Sequence, residues 1–479
     1  MANVKDTKRS NFVKDKYTSE VYYVFPLYTE TFIKCVEEDI LSSKENLNVR
    51  DTDGYTALMM ACVMGLCEIV EKLISAGADV NLQSMDRKRI EGKYVIEGGW
   101  TALMLASSSS YNDSKIKILE MLIKAKANVN TSNYEGQTAL MISAMKSCYD
   151  SYKENASEFV KMLIDAGANL DLQDSDGNTA LMMISERAKI TSSLEVMKIL
   201  IDAGANVDLK NKKGKTALML ASKSSNGYSS LEAVLMLIKG GVNLDLQDIN
   251  GESALIIASR FSNKSSSLET VNALLVAGAN PDLQDINGST ALTTASKYVI
   301  ANSNGGSSLD TVRTLMDVGA NVNLVSRSGC TTCLFNLVRY SKCLDIIKEV
   351  ISRGASVNHL SENIKTEENY NGNSILHWCA IGIKEETSSY EILNYLETLD
   401  IDLTIKNQEG KTYKDYLPEV VVDYYVSNTC MVCEKRKAYF VILNCKCNYC
   451  KMCLDCAKKT DKCRSCDGSF SKYTIIKFS

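Results

Sequence analysis

Proline, histidine and tryptophan are nearly missing from this chain, with three, two and two copies in 479 residues. No apolar run approaches the roughly 18 residues that a membrane span needs, and the opening stretch, Met1 to Glu20, is charged where a secretory signal would be apolar. These absences set aside a membrane-embedded or secreted protein and predict a cytoplasmic one, with the nucleus also compatible. An excess of one charge is missing too. The net charge is −4, with 23% charged and 45% hydrophobic residues, a soluble globular composition without the basic footprint of a nucleic-acid binder. The repeating elements hold no nucleotide-cradling glycine loop and no paired acid and base. The only two histidines, His359 and His377, read as structural.

What is present is a recurring phrase. Gly54-Tyr55-Thr56-Ala57-Leu58-Met59 returns as Gly99 to Met104, Gly136 to Met141, Gly177 to Met182 and Gly214 to Met219, with weaker copies from Gly251, Gly288, Gly329, Gly372 and Gly410. Four of the intervals between successive Thr or Ser positions are 37 residues. In each unit an Asp-Gly or Asn-Gly pair marks a turn. The following Thr caps a short apolar helix. A second helix shows a stripe such as Leu194, Met197, Leu200, Ile201. Gly204, Gly240, Gly278 and Gly319 then read as left-handed helix stops. The methionines of the phrase read as core packing rather than as ligands.

This turn, helix, helix, glycine order, with its phrase Gly204-Ala205-Asn206-Val207-Asp208, resembles the ankyrin repeat family. The resemblance implies an all-α repeat solenoid with β-hairpin tips, stacked from units longer than the usual ~33 residues. The extra residues fall in Ser/Asn-rich stretches between the helices, Ser222 to Ser230 and Ser262 to Ser267, and larger insertions lie at Ser84 to Gly98 and Leu360 to Tyr370. The predicted organisation is a disordered stretch over 1–17 and a helical N-terminal cap over 18–47. An array of about nine repeats with a partial closing repeat follows over 48–425, and a separate module fills 426–479. Such an array binds proteins, and its expected partner, a substrate or host protein, sits on a concave face of tips and first helices.

The last module holds nine of the 17 cysteines: Cys430, Cys433, Cys445, Cys447, Cys450, Cys453, Cys456, Cys463 and Cys466. Cysteine pairs two residues apart grip tetrahedral zinc, so eight of these nine thiols predict two zinc ions, whose binding energy would fold so small a module. Residues 430–479 carry eleven Lys and Arg against four Asp and Glu. Eight thiolates around two zinc ions bring about −4, which offsets more than half of that surplus and argues against nucleic acid as partner.

The order of the cysteines resembles the RING finger family, in which pairs one and three hold one zinc and pairs two and four the other. Two registers fit. Cys445-x-Cys447-x2-Cys450-x2-Cys453 matches the family pattern with Cys456 left over. Alternatively, Cys453-x2-Cys456-x6-Cys463-x2-Cys466 and the apolar tail Tyr473 to Phe478 resemble the dimeric RINGs of the inhibitor-of-apoptosis and Mdm ligases, with Cys447 or Cys450 left over. The resemblance implies a small α+β module that acts as a ubiquitin ligase, meets a conjugating enzyme through Val432, and pairs with a second copy through the tail. A non-enzymatic adaptor with a structural zinc module is the alternative. The whole chain, poor in proline and rich in Lys, Asn and Ile with a terminal RING-like finger, is similar to ankyrin proteins of large DNA viruses, which places the protein in the cytoplasm of a host cell.

Overall fold

The computed structural model describes residues 32–34, 36–40, 47–51, 54–85, 98–108, 113–149, 156–227, 229–263, 266–299, 307–326, 331–361 and 372–418, and three strands beyond them. The chain divides into two compact units, Met1–Ile286 and Asn287–Ser479.

The first unit contains six helix pairs among its described residues. They are α1 (Ala57–Met64) with α2 (Cys67–Ser75), α3 (Ala102–Ser108) with α4 (Asp113–Lys124), α5 (Ala139–Lys146) with α6 (Ala156–Asp165), α7 (Ala180–Ser185) with α8 (Thr191–Asp202), α9 (Ala217–Ser224) with α10 (Leu231–Lys239), and α11 (Ala254–Phe261) with α12 (Leu268–Val276). The first helix of each pair starts where the sequence predicts. Thr56, Thr138, Thr179, Thr216 and Ser253 are extended, and each hydroxyl accepts the amide of the third helical residue. Such a cap is worth about 1 kcal/mol. Met59, Met104, Met141, Met182 and Met219 are all buried, so that column is core, and each side chain contributes about 2 kcal/mol by leaving water.

In α8, α10 and α12 the predicted stripe is buried at its two middle positions, Met197 and Leu200, Val234 and Leu237, and Val271 and Leu274, but not at its ends. Val196, Ala233 and Thr270 are fully buried, while Leu194, Leu231 and Leu268 sit only half-buried at the edge. The left-handed stop is also displaced once. Gly240 is right-handed at φ −70° and Gly241 takes the turn at φ 80°, two residues past the helix end, where Gly278 stands in the next repeat. In the second repeat the left-handed position is held by Lys126 at φ 63°. A lysine also joins the first two repeats: Lys115 of α4 is buried, and its ammonium donates to the carbonyls of Cys62 and, at 2.7 Å, Val63 in the last turn of α1. The cation thus closes the negative end of that helix.

The Ser-rich stretches are structural rather than slack. Ser222 and Ser224 lie inside α9. Ser229 and Ser266 are buried, and Ser230 and Ser267 cap α10 and α12. The hydroxyl of Ser229 donates to the Ser185 carbonyl of the preceding repeat at 2.8 Å, and that of Thr270 to Ser225 at 2.7 Å.

The Gly-Ala-Asn-Val-Asp phrase builds a spine. The Asp208 amide donates to Asn206 Oδ1 at 3.0 Å within the repeat, and the Asn243 amide of the next repeat donates to Asp208 Oδ1 at 2.9 Å. The same alternation runs from Asn48 through Asp79, Asn81, Asn128, Asn130, Asn169 and Asp171 to Asp282. Each short polar side chain satisfies an amide that a turn would otherwise leave open.

In the second unit, three helix pairs among the described residues follow the same plan: α13 (Ala291–Tyr298) with α14 (Leu309–Asp317), α15 (Cys333–Tyr340) with α16 (Leu344–Ser352), and α17 (Ile375–Lys384) with α18 (Tyr390–Glu397). A 3-10 turn, Tyr413–Tyr416, then stands where a tenth first helix would begin, behind the extended cap residue Thr412. An antiparallel three-stranded sheet completes the described residues: β1 (Tyr439–Leu443), β2 (Lys451–Cys453) and β3 (Tyr473–Lys477), in the order β2-β1-β3.

Of the N-terminal cap expected over 18–47, residues 32–34 are helical and Val36–Ile40 form a short π-helix. Val36 is buried and Glu37 pairs with Lys72 of α2. The stretch 1–17 lies outside the described residues.

Candidate protein-binding surface and cysteine module

Most repeats end in a tip of the form Asx-x-x-Gly. The Asx side chain turns the chain: Asp174 Oδ1 accepts the amides of Asp176 at 2.9 Å and Asn178 at 2.7 Å. The β-hairpins expected here are turns instead. They carry single bridges such as Ser132↔Thr138, because the helix begins at Ala139 and leaves no residues for a strand.

Neighbouring tips are joined by backbone. In the first unit the amides of Tyr134, Ser175, Lys212, Ile249 and Ile286 donate to the carbonyls of Gly98, Glu135, Asp176, Lys213 and Asn250, at 2.7 to 3.3 Å. Glutamines reinforce the line, as where Gln247 Nε2 donates to the Gly251 and Gln284 carbonyls at 2.6 and 2.8 Å. With the backbone so fixed, the residue after each Asx stands outward. Met85, Tyr134, Ile249 and Ile286 are 57%, 58%, 65% and 62% exposed, with Ser175 and Lys212 exposed between them. The row is apolar at both ends and polar in the middle.

The first helices, expected to share this surface, are buried instead. In α5, α9 and α11 the first six residues are all buried, and only end residues such as Lys223 and Arg260 reach water. Within each unit, neighbouring first helices pack against one another, and each packs against its own second helix. That is why its sequence is apolar all round.

The two large insertions leave the tips through the same gate. At one, the Ser84 amide donates to the Trp100 carbonyl and the Gly99 amide returns to the Ser84 carbonyl, both at 2.8 Å. At the other, in the second unit, the Ser361 amide donates to the Asn373 carbonyl at 3.0 Å and the Gly372 amide to the Ser361 carbonyl at 2.8 Å.

The second unit closes on a polar cluster. His377 is buried. The Ser374 amide donates to its Nδ1 at 3.2 Å, while Nε2 lies 3.0 Å from the Lys411 carbonyl. Burial lowers its pKa, so the ring is neutral and structural, donating from Nε2. His359 packs its ring 5.7 Å from that of Phe335. Arg339 grips Glu385 through two bonds of 3.1 and 2.8 Å and lies over the Trp378 ring at 4.9 Å.

Of the nine cysteines and Val432 singled out by spacing, Cys453 falls in a described segment, at the end of β2. Cys430, Val432, Cys433, Cys445, Cys447, Cys450, Cys456, Cys463 and Cys466 lie outside the described residues. The sheet sets the frame around them. β1 pairs with β2 as Ile442↔Lys451, Val441↔Met452 and Phe440↔Cys453, so the connection 444–450 with its three cysteines joins two adjacent antiparallel strands. β1 also pairs along its whole length with β3, the apolar tail.

A stack of units that holds its backbone constant and varies the outward side chains of its tips is a scaffold for holding another protein. The ankyrin repeat family matches residues 53–85 and 98–134, and its three-copy form matches 150–248 and 224–326. These matches together cover just over half of the chain, which belongs to the ankyrin repeat proteins. Among its relatives, BCL-6 corepressor-like protein 1 of Homo sapiens is 28% identical over 117 residues, 24% of this chain and 5% of that protein. An ankyrin repeat protein of Acanthamoeba polyphaga mimivirus is 28% identical over 110 residues, 21% of this chain and 19% of that protein. The chain therefore spans less than a fifth of either relative. Among the described residues no helix is long and apolar enough to cross a membrane.

Proposed function

We propose that the ankyrin array captures a protein along its row of tips and that the cysteine module brings a ubiquitin-conjugating enzyme to it, making the chain a RING-type ubiquitin ligase. The observation that carries the reading is the series of zinc-spaced cysteines, Cys430 to Cys466, directly behind a protein-binding scaffold. The donor set suits zinc: thiolates in closely spaced pairs form closed tetrahedral sites. Two zinc ions would supply the folding energy that about 40 residues cannot raise by burial. Val432, between the first two ligands, would contact the conjugating enzyme, which hands ubiquitin straight to a lysine of the captured protein. Similarity to a mimivirus protein supports a host protein as the captured partner and the host cytoplasm as the place.

The test is reconstitution of the full zinc-loaded chain with ubiquitin, activating enzyme and a panel of conjugating enzymes. Ubiquitin chains that form with the wild type and vanish with Val432→Ala support the reading. No chains with any conjugating enzyme overturn it.

Arg464 and Asp467 favour a second reading. Many active RINGs carry proline after the seventh ligand and a cation after the eighth, and this chain carries neither. On that reading the module is a structural zinc knob of an adaptor, docking a protein or a second copy through Tyr473 to Phe478, and Val432→Ala leaves partner capture unchanged.

A further inference from the structure

The tips of the first unit are ordered by charge as well as by polarity. Both middle residues of the tips at 174–177, 211–214 and 248–251 are exposed, and backbone bonds fix their sequence along the row. The Lys212 amide donates to the Asp176 carbonyl at 3.0 Å, Ile249 to Lys213 at 3.2 Å, and Ile286 to Asn250 at 3.0 Å. One line therefore presents an acid at Asp176, two bases at Lys212 and Lys213, and apolar surface at Ile249 and Ile286.

The lysine tip is built without its ammonium groups. Asn211 Oδ1 accepts the amides of Lys213 at 3.0 Å and Lys215 at 2.9 Å, so the turn is held whatever Lys212 and Lys213 do. Among the described residues no carboxylate pairs with these two lysines and no cation with Asp176, whereas Arg260 of the next repeat is paired with Glu252. Lys215 before α9 and Lys223 in its last turn add positive charge beside the tip, in a stretch, 1–429, that carries 43 Lys and Arg against 54 Asp and Glu. The acid tip on one side and the apolar tips on the other confine this positive patch to about one repeat. A phosphate backbone needs a longer track, and a protein segment does not.

Neighbouring first helices pack side by side, and packed helices lie ~10 Å apart. An extended chain covers that distance in about three residues, at ~3.3 Å each. We infer that the tips select an extended protein segment with a basic residue over Asp176, an acidic residue over Lys212 and Lys213, and apolar residues over Ile249 and Ile286. Its pattern is basic-x2-acidic-x2-apolar-x2-apolar, read in either chain direction. The inference rests on the capture reading proposed above and is independent of the cysteine module. The isoleucines supply the anchor, and the charges supply the choice: exposed ion pairs add little affinity, but a like charge placed over Asp176 or over the lysines is turned away.

Fluorescence anisotropy of labelled synthetic peptides with the full chain tests this. Peptides carrying the pattern in each chain direction are compared with peptides whose basic and acidic residues are exchanged, and with oligouridine RNA. The better patterned peptide is expected to bind about tenfold tighter than its exchanged form at low salt, and the ratio should shrink as salt is added. The triple variant Asp176→Lys, Lys212→Glu, Lys213→Glu is expected to prefer the exchanged peptide, a reversal that misfolding cannot produce. Equal binding of patterned and exchanged peptides by the wild type overturns the inference and leaves capture at the tips standing, as does RNA bound more tightly than either peptide. If the wild type binds no peptide at all, capture along the tips falls and the inference with it.

Discussion

Gly177 and Gly204 allow the contact between tips to be separated from the turn that each tip requires. Both are left-handed, at φ 81° and 87°, so an alanine at either meets the same backbone penalty of about 1 kcal/mol. A Cβ at Gly204 would have no atom within 4 Å, whereas at Gly177 it would lie 2.7 Å from the Lys212 nitrogen and 3.1 Å from the Asn211 Cα, both backbone of the next tip. Those atoms cannot rotate away, and ordinary contact begins at 3.4 Å. The tips must part by about 0.7 Å, from 2.7 to 3.4 Å, which breaks the 3.0 Å bond from the Lys212 amide to the Asp176 carbonyl. That bond is worth about 1 kcal/mol, and displaced packing adds about 1 more. Gly177→Ala should therefore destabilise by about 3 kcal/mol and Gly204→Ala by about 1. The difference of about 2 kcal/mol is a roughly 30-fold rise in local opening. Hydrogen exchange at the Lys212 amide, with urea unfolding of the full chain, measures it. Equal losses in the two variants, or unchanged exchange at Lys212 in Gly177→Ala, would show that the tips do not bear on each other.

Lys126→Gly should raise the urea midpoint, by about 1 kcal/mol in stability, since a side chain at φ 63° is strained and glycine is not; a lower midpoint contradicts this. Burial lowers the Lys115 pKa to about 8 from 10.5, so between these values the unfolded chain binds more protons and stability rises with pH. The penalty is fully present below pH 8 and relieved above 10.5, a span of up to about 3 kcal/mol. Wild type should gain on Lys115→Met between pH 7.5 and 10 in paired denaturation curves, and parallel curves refute the assignment. Ser229→Ala strips the Ser185 carbonyl of its buried donor and should cost about 1 to 2 kcal/mol in thermal or urea unfolding; a neutral result would make these serines filler. Chelation of zinc should unfold residues 426–479 while the array keeps its helical circular dichroism, and joint loss of both signals would contradict the division.

The repeat plan was legible because its signals are local. A turn glycine, a capping threonine and a helical stripe each act within about ten residues, and Thr179 or Gly204 can be read without their neighbours. The spine was not legible, because Asp208 and Asn243 are 35 residues apart and their pairing follows only once two repeats are stacked. The burial of the serines was not legible for a related reason: Ser229 and Ser266 lie between helices, as their sequence says, but look like open loop residues until a carbonyl or hydroxyl of another repeat is placed beside them. A signal was present, since the pair Ser-Ser recurs before Leu231, Leu268 and Leu309. The burial of the first helices had its own sign, an Ala-Leu-Met-Leu-Ala stretch without a polar face. In the cysteine module, spacing points to thiolate ligands but leaves their register open, because spacing alone does not say how the chain folds between them.

The gates at Ser84 with Gly99 and at Ser361 with Gly372 make length a free variable. Whatever lies between those residues is tied off by two backbone bonds before it meets the stack, so a segment of any composition can be exchanged there without shifting a single helix. Loop-closure entropy grows only slowly with length, so such exchanges are thermodynamically cheap. A lineage under pressure to hold new proteins can therefore change its grip by swapping cassettes at two ports while the chassis stays as it is.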